Sequence, residues 1–578
     1  MLCLNAPIVL AAMPNLRRLA SGLSTDSETL ARLGKKQVLK RRFGFWSLFA
    51  FAICELITWE TVLALFSQGF DNGGPAGLVY GFLIAWLSTL SVYTVISELA
   101  SMSPIASGQY FWVYILAPPR YKKLLSYLVG WLTSLAWVAT VATESLFAGT
   151  MIQGLLALRY PDYDFKSWQG TLLTWAVMLF NVFINTVLPA LLPKFELMIM
   201  VVHVGGFIGI IAALLSTSTI GTASSVFLTA QNSGGWPTQG LSYCVGFLGN
   251  VATFVGADAS VHMAEEVQDA AINIPRAIVA GMIANGLIGF AMMIAILYCL
   301  GDFSAVSESS TGFPFIQIFY NSVKSVPGAI AMGAIVLVLT WACALGITTT
   351  ASRMTWSFAR DNGTPFSHYL KKVDKRTKVP IVAVIVVTSL AALLTLIYIG
   401  SDTAFNDVVS LTITGFYGSY LLPCAFLLYH RIRGHVLPYG TETNNRGILP
   451  TPGSAEEDGP QGVEPVVGDE KTADLHPVEG LTELVQGRFV WGPWSIPGIL
   501  GTINNAYACV YMIFVIFWSV WPPATPVSAS SMNYSVVVTG GIMLLSGVWY
   551  VIRGRREYKG PLVEDDALQA IRVAPPTA

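Results

Sequence analysis

The chain has 578 residues, 54% hydrophobic and only 12% charged, with a mean hydropathy of +0.59. A soluble globular domain carries about 25% charged residues, so a water-exposed surface of this size cannot be built from this composition. The net charge of −1 leaves no basic excess for phosphates and excludes a nucleic-acid partner. What remains is a multi-span protein whose solvent is the lipid bilayer. The seven cysteines are scattered, with no C-x-x-C spacing, so neither a disulfide framework nor a zinc site is indicated. No phosphate loop, nucleophile elbow or histidine pair at ligand spacing occurs, so no enzyme chemistry, metal or cofactor is expected.

A spanning helix needs about 20 mainly apolar residues. Twelve such runs follow one another, near 44–69, 76–99, 125–155, 169–190, 195–215, 241–262, 277–300, 326–352, 380–399, 406–429, 497–520 and 534–552. Turn residues such as Asp71-Asn72-Gly73-Gly74-Pro75 separate them. With loops assigned alternately to the two sides, 30 of the Lys and Arg residues fall on the side of the N-terminus and 3 (Arg159, Lys166, Lys324) on the other. Basic residues accumulate on the cytoplasmic side, so both termini are expected in the cytoplasm. On these boundaries no Lys or Arg lies inside a span.

The organisation predicted is a cytoplasmic tail (1–43), five spans (44–215), five more (241–429), an insert (434–487), two last spans (497–552) and a second tail (553–578). The apolar stretch Met1 to Met13 precedes Arg17-Arg18, the reverse of a signal peptide. Residues 1–40 therefore read as a mobile tail and the first span as the signal anchor. The insert contains Pro450-Thr451-Pro452-Gly453 and Glu456-Glu457-Asp458. Its low hydrophobicity cannot offset chain entropy, which predicts a disordered cytoplasmic segment.

Four acids inside the spans carry the functional argument: Glu55 and Glu60 in the first, Glu144 in the third and Asp258 in the sixth. An ionised carboxylate at the bilayer centre costs about 2.5–3.5 kcal/mol on insertion scales. With no intramembrane Lys or Arg to pair with them, the counter-charges are protons, metal cations or a cationic ligand. The pattern favours a pathway for an amine-bearing solute, with Glu55, Glu144 and Asp258 as candidate proton-coupling acids. Within the sixth span, the stretch Gly246 to Ser260 holds Gly249, Asn250, Thr253, Gly256, Asp258 and Ser260. Glycine and small polar residues weaken a helix interior, so an interruption near Gly256 is expected. Exposed backbone at that depth is tolerated where it lines a cavity. A helix packed through small residues would read the same way. The sequon at Asn533-Tyr534-Ser535 offers a weak glycosylation site in the last outer loop.

Aromatic segments follow the second span (Gly108 to Trp112) and the seventh (Gly312 to Phe315). Five spans separate them, so the second lies inverted relative to the first, the pattern of inverted-repeat transporters. Ordered motifs extend this over most of the chain. They include Thr58-Trp59-Glu60, Gly73-Gly74-Pro75-Ala76-Gly77, Ser97-Glu98-Leu99-Ala100-Ser101, Gly256-Ala257-Asp258 with His262-Met263-Ala264-Glu265-Glu266, Ile274-Pro275-Arg276, Ser357-Phe358-Ala359-Arg360-Asp361 and Trp521-Pro522-Pro523. On these motifs the chain resembles fungal amino acid/choline (GABA permease-like) transporters of the amino acid–polyamine–organocation superfamily.

The resemblance implies an all-α membrane fold of twelve helices, built as a leucine-transporter-type 5+5 inverted repeat plus two. It implies a substrate site at the unwound centres of the first and sixth helices, formed by Thr58, Trp59, Glu60, Phe254, Gly256 and Asp258. Trp59-Glu60-Thr61 stands where many members carry a Gly-x-Gly bend, so a carboxylate replaces a backbone cradle and suits an amine. Phe254 would gate the site, and Asp258 would link helices. The function expected is secondary transport of an amino acid, GABA, choline, a polyamine or an amine-like natural product, coupled to protons, at the plasma membrane or an internal one. A nutrient sensor on the same scaffold and an exporter of an amine-type metabolite are the alternatives.

Overall fold

The structure, a computed structural model, describes residues 26–27, 29–31, 33–302, 306, 309, 311–400, 404–439, 489–529 and 531–562. Most of the 434–487 insert, the first 25 residues and the end of the second tail lie outside these. The described chain is almost wholly helical. A first set of elements comprises α1 (Phe45–Leu56), α2 (Thr58–Ala64), α3 (Phe66–Met102), α4 (Gln109–Leu116), α5 (Lys122–Arg159), α6 (Ser167–Val187) and α7 (Leu192–Thr217). A second set repeats the order: α8 (Gln239–Ala252), α9 (Ala259–His262), α10 (Ala270–Tyr298), α11 (Pro314–Val323), α12 (Val326–Arg360), then α13 (Ser367–Leu370), α14 (Ile381–Thr395) and α15 (Ala404–Ile432). Each set opens on a broken helix, runs through a long one, and inserts a short helix (α4, α11) before the next span. The last two spans are α16 (Gly498–Trp518) and α17 (Ser535–Trp549).

Among the described residues, eleven helices are long and apolar enough to cross a membrane. The remaining run, the sixth, expected near 241–262, is not among them because it is broken into α8 and α9, each too short to count. Some spans run past the bounds expected: Phe66–Met102 has 37 residues where 76–99 was expected, and Lys122–Arg159 has 38 where 125–155 was expected. Asp71 to Pro75, read from sequence as a turn between spans, lies within α3 and bends it at Gly74 (φ 63°). Pro75 begins the second half of that helix, where its missing N–H costs least. The longer helices also contain arginines, which corrects the expectation of none. Buried Arg353 in α12 pairs with Glu266 at 2.9 Å, and Arg431 in α15 pairs with Glu98 of α3 at 2.6 Å.

A broken α1–α2, a broken α8–α9, and α3, α5, α12 and α15 surround the centre of the bundle, while α6, α7, α14, α16 and α17 turn apolar faces outward. Exposed Val201, Leu393, Ile513 and Leu544 lie on these outer helices. In water they would be a liability; in a bilayer they are the lipid-facing surface.

Of the tail expected to be mobile (1–40), residues 26–27, 29–31 and 33–40 are described, and with residues 41–43 they cover one face of the bundle. Arg42 and Phe43 N–H groups donate to the Glu266 carbonyl at 2.8 and 3.0 Å, and Gln268 N–H returns a bond to Phe43. Arg41 donates to the Val267 carbonyl, and buried Lys35 forms an ion pair with buried Asp361. The Asp26 carboxylate accepts from the N–H groups of Asp269 and Ala270 at 2.7 and 3.1 Å, capping α10. Burial raises the Asp26 pKa, and Arg41 opposes that rise. On the same face, β1 (Val436–Leu437) and β2 (Phe489–Val490) pair in parallel and join the described start of the insert to the chain that follows it.

Candidate functional site

The first span is interrupted where the resemblance implies. α1 ends at Leu56, Ile57 adopts a left-handed conformation (φ 30°, ψ 49°), and α2 restarts at Thr58. The break in the sixth span runs from Thr253 to Asp258, with Gly256 at φ 107°. Left-handed backbone costs glycine little, which explains that residue's place. The freed backbone groups are satisfied by side chains: Gly256 and Ala257 N–H donate to the Tyr93 hydroxyl at 3.0 and 3.2 Å. Thr58 Oγ1 donates across to the Thr253 carbonyl at 3.2 Å and joins the two breaks.

Beside them lies a central cavity of about 30 Å³ lined by Glu55, Glu144, Thr61, Thr140, Thr143 and Thr412 among others. Neither Glu55 carboxylate oxygen has a hydrogen-bond partner among the described residues, nor does the Thr143 hydroxyl. Gly346 of α12 leaves the space that the Glu55 carboxylate fills. Among the described residues no Lys, Arg or His lines the cavity. A few tens of Å³ hold one or two waters, so a solute enters only if the walls move apart.

Above the cavity opens a vestibule of about 630 Å³, on the face opposite residues 26–43, with Asp71 and Asp407 on its walls. Leu65, Phe147, Val409 and Ile413 line both spaces and form the partition between them. Towards the other face the way is closed by ion pairs. Glu265 of the segment after α9 takes two bonds from Arg360, at 2.6 and 3.1 Å, Glu266 pairs with Arg353, and Lys35 with Asp361. The geometry is that of a gated pathway, thin on one side and thick on the other.

The six substrate-site candidates are distributed differently from expectation. Glu60 lies outside the cavity lining: its Oε1 meets Nδ1 of His203 in α7 at 2.7 Å, both side chains fully buried. Trp59 packs on His203 and Phe207, with centroids 5.8 and 6.4 Å apart. Phe254 packs on Phe82 (4.9 Å) rather than on the cavity. Asp258 is a latch: it accepts from Gln109 at 2.7 Å and from the Tyr420 hydroxyl at 2.5 Å, with His262 3.5 Å away. Those bonds tie the broken sixth span to α4 and α15. Thr58 and Gly256 shape the breaks. Of the coupling candidates, Glu55 and Glu144 meet at the cavity and Asp258 does not. Asn533, the glycosylation candidate, is buried, and its amide nitrogen donates to Ser410, Ser519 and Trp521 at 3.1–3.2 Å.

Sequence reasoning missed Glu196 and His203, both fully buried in α7. They sit seven residues apart, two helical turns, and so share a face. Ionisable residues within a span are functional candidates by default; that signal was present for both. Tyr93, Gln109 and Tyr420 carried none, because their role depends on three elements meeting.

The sequence profile of the amino acid permease family matches residues 43–542. The chain belongs to that family: it is a multi-pass membrane transporter rather than an enzyme. It is 28% identical over 488 residues to a protein of Macrophomina phaseolina named for amino acid/polyamine transport, covering 84% of this chain and 96% of that one. It is 28% identical to the choline transporter of Saccharomyces cerevisiae (90% and 83% covered) and 26% identical to the GABA-specific permease of the same yeast (94% and 88%).

Proposed function

We propose that the chain imports a small amine-bearing solute, its ammonium or quaternary nitrogen held between Glu55 and Glu144, with protons as the coupling ion. The observation that carries this is the central cavity: two carboxylates and four threonines, with no basic side chain on its wall among the described residues. Buried carboxylates of one sign need a cation or protons to offset them. Amino acid/polyamine, choline and GABA, the names of the relatives, share an amine nitrogen, which is the group these acids suit. Glu60 is then the proton carrier, because it lies outside the cavity lining with its Oε1 on Nδ1 of His203 at 2.7 Å. The basic count supports both termini in the cytoplasm, the vestibule opening outward, and the plasma membrane as the site of import.

The test is uptake into proteoliposomes of labelled choline, GABA, amino acids and polyamines, with and without an inward proton gradient. A charge-assisted hydrogen bond contributes about 1.5–3 kcal/mol, so Glu55→Gln or Glu144→Gln should raise KM for the carried amine about 10- to 150-fold. Glu60→Gln should keep solute exchange and lose uphill accumulation. Transport of a neutral solute with unchanged KM in both cavity variants would overturn the reading.

A further inference from the structure

The loop between α12 and α14 has no part in the pathway, yet it is densely basic. Residues 371–378 hold Lys371, Lys372, Lys375, Arg376 and Lys378 against one acid, Asp374. Lys372, Lys375, Arg376 and Lys378 are exposed. The single acid is turned to local work: its Oδ2 accepts from the amides of Thr377 and Arg376 at 2.7 and 3.0 Å and from the Thr377 hydroxyl at 2.9 Å. Those Thr377 bonds hold Asp374 below the usual carboxylate range, so it stays charged and folded back.

Two large aromatic side chains stand exposed beside the basic run: Phe366 at 79% and Tyr369 at 59%. Lys372 lies over the Tyr369 ring, 5.0 Å from its centroid. Lys378 is three residues before the start of α14, whose Ile385 and Leu393 face lipid. The loop therefore lies at the rim of the bundle, at the depth where a spanning helix leaves the hydrocarbon. Exposed rings and lysines at that depth match the interface, where aromatic bodies sit at headgroup level and basic chains meet phosphate.

The loop is also held in place from beneath. Leu370 joins Leu39, Trp356, Ala359 and Ala383 in a small apolar cluster. Trp356 donates to the Lys371 carbonyl at 3.1 Å, and Arg42 of the N-terminal segment donates to the Thr377 carbonyl at 2.9 Å. What the loop binds is thus mechanically joined to the segment that covers this face of the pathway.

We propose that residues 366–378 form a docking surface for anionic phospholipid headgroups of the leaflet this face meets, with Phe366 and Tyr369 in the interface and the four exposed basic residues on the phosphates. The inference goes beyond the transport reading and does not depend on the solute carried. The alternative partner is an acidic protein segment, and residues 456–479 of this same chain hold eight acids.

The test is amide hydrogen exchange of the full chain in nanodiscs of phosphatidylcholine, with and without about 30% phosphatidylserine. At a charged surface one basic residue is worth about fivefold in binding, so exchange across 366–378 should slow at least about fivefold with the anionic lipid. High salt should reverse it. A variant carrying Lys372→Gln, Lys375→Gln, Arg376→Gln and Lys378→Gln should show no lipid dependence, with exchange in α12 unchanged as the control on folding. Equal exchange in the two lipids, or protection that persists in the variant, would overturn the proposal. So would protection indifferent to lipid and lost on deleting residues 446–482, which would assign the surface to the acidic insert.

Discussion

Gly346 shows how much of the site rests on a single missing methyl group. A Cβ there would fall 1.8 Å from Oε1 of Glu55, an overlap that the carboxylate must yield to. Gly346→Ala should therefore leave the helix intact, since alanine suits an α-helix better than glycine, and displace the acid instead. The expected result is KM raised about tenfold or more, the loss of one charge-assisted contact, at normal surface expression. An unchanged KM would remove Glu55 from substrate contact. At this scale the sequence was informative about residue type and poor about direction. Glu60 and Asp258 were legible as intramembrane acids. Nothing in their neighbours along the chain showed that one would face His203 and the other Gln109 and Tyr420, because those partners come from helices far away in sequence.

Between residues 33 and 43 the chain acts as an element without being a helix. Its anchor is Lys35 on Asp361, and Asp361 also accepts from the Tyr110 hydroxyl at 2.8 Å and the Leu562 N–H at 3.0 Å. Removing one partner of a buried pair costs about 3–5 kcal/mol. Lys35→Met should lower the thermal unfolding temperature and speed amide exchange over residues 35–43, with Lys35→Arg restoring both. Exchange unaltered in the methionine variant would mean that the segment is held by its backbone bonds alone. The partition on the opposite side is apolar and thin. Phe147→Ala should admit water to the cavity from the vestibule, detectable as faster modification of an introduced Thr143→Cys by a membrane-impermeant thiol reagent. An unchanged rate would move the gate elsewhere. The breaks were legible in part: Gly256 announced one, whereas Ile57 is β-branched and an unexpected residue at positive φ. Only the neighbouring α8–α9 break and its Thr58 bond explain it.

For the whole molecule, the number and order of spans followed from hydropathy, because lipid leaves the backbone few options. Their lengths did not, since the ends of α3, α12 and α15 carry polar residues that pair inside the protein rather than ending the helix. Orientation rests on charge alone. An epitope placed in 160–166 should bind antibody on intact cells, and one placed in 446–482 only after permeabilisation. The reverse pattern would turn the molecule over and make the vestibule an exit.

The two-residue ladder of β1 and β2 restricts how this chain can vary in length. Its strands run parallel, and parallel neighbours cannot be joined by a tight hairpin; the chain between them must cross over, which takes about a dozen residues. The stretch from Pro438 to Arg488 is far longer than that. Natural relatives and engineered versions therefore have wide freedom to lengthen, shorten or rewrite it, down to a floor. Below that floor the ladder would open, and with it the strap at Trp491 to Ile496, whose amides reach Ser101 and Glu98 of α3.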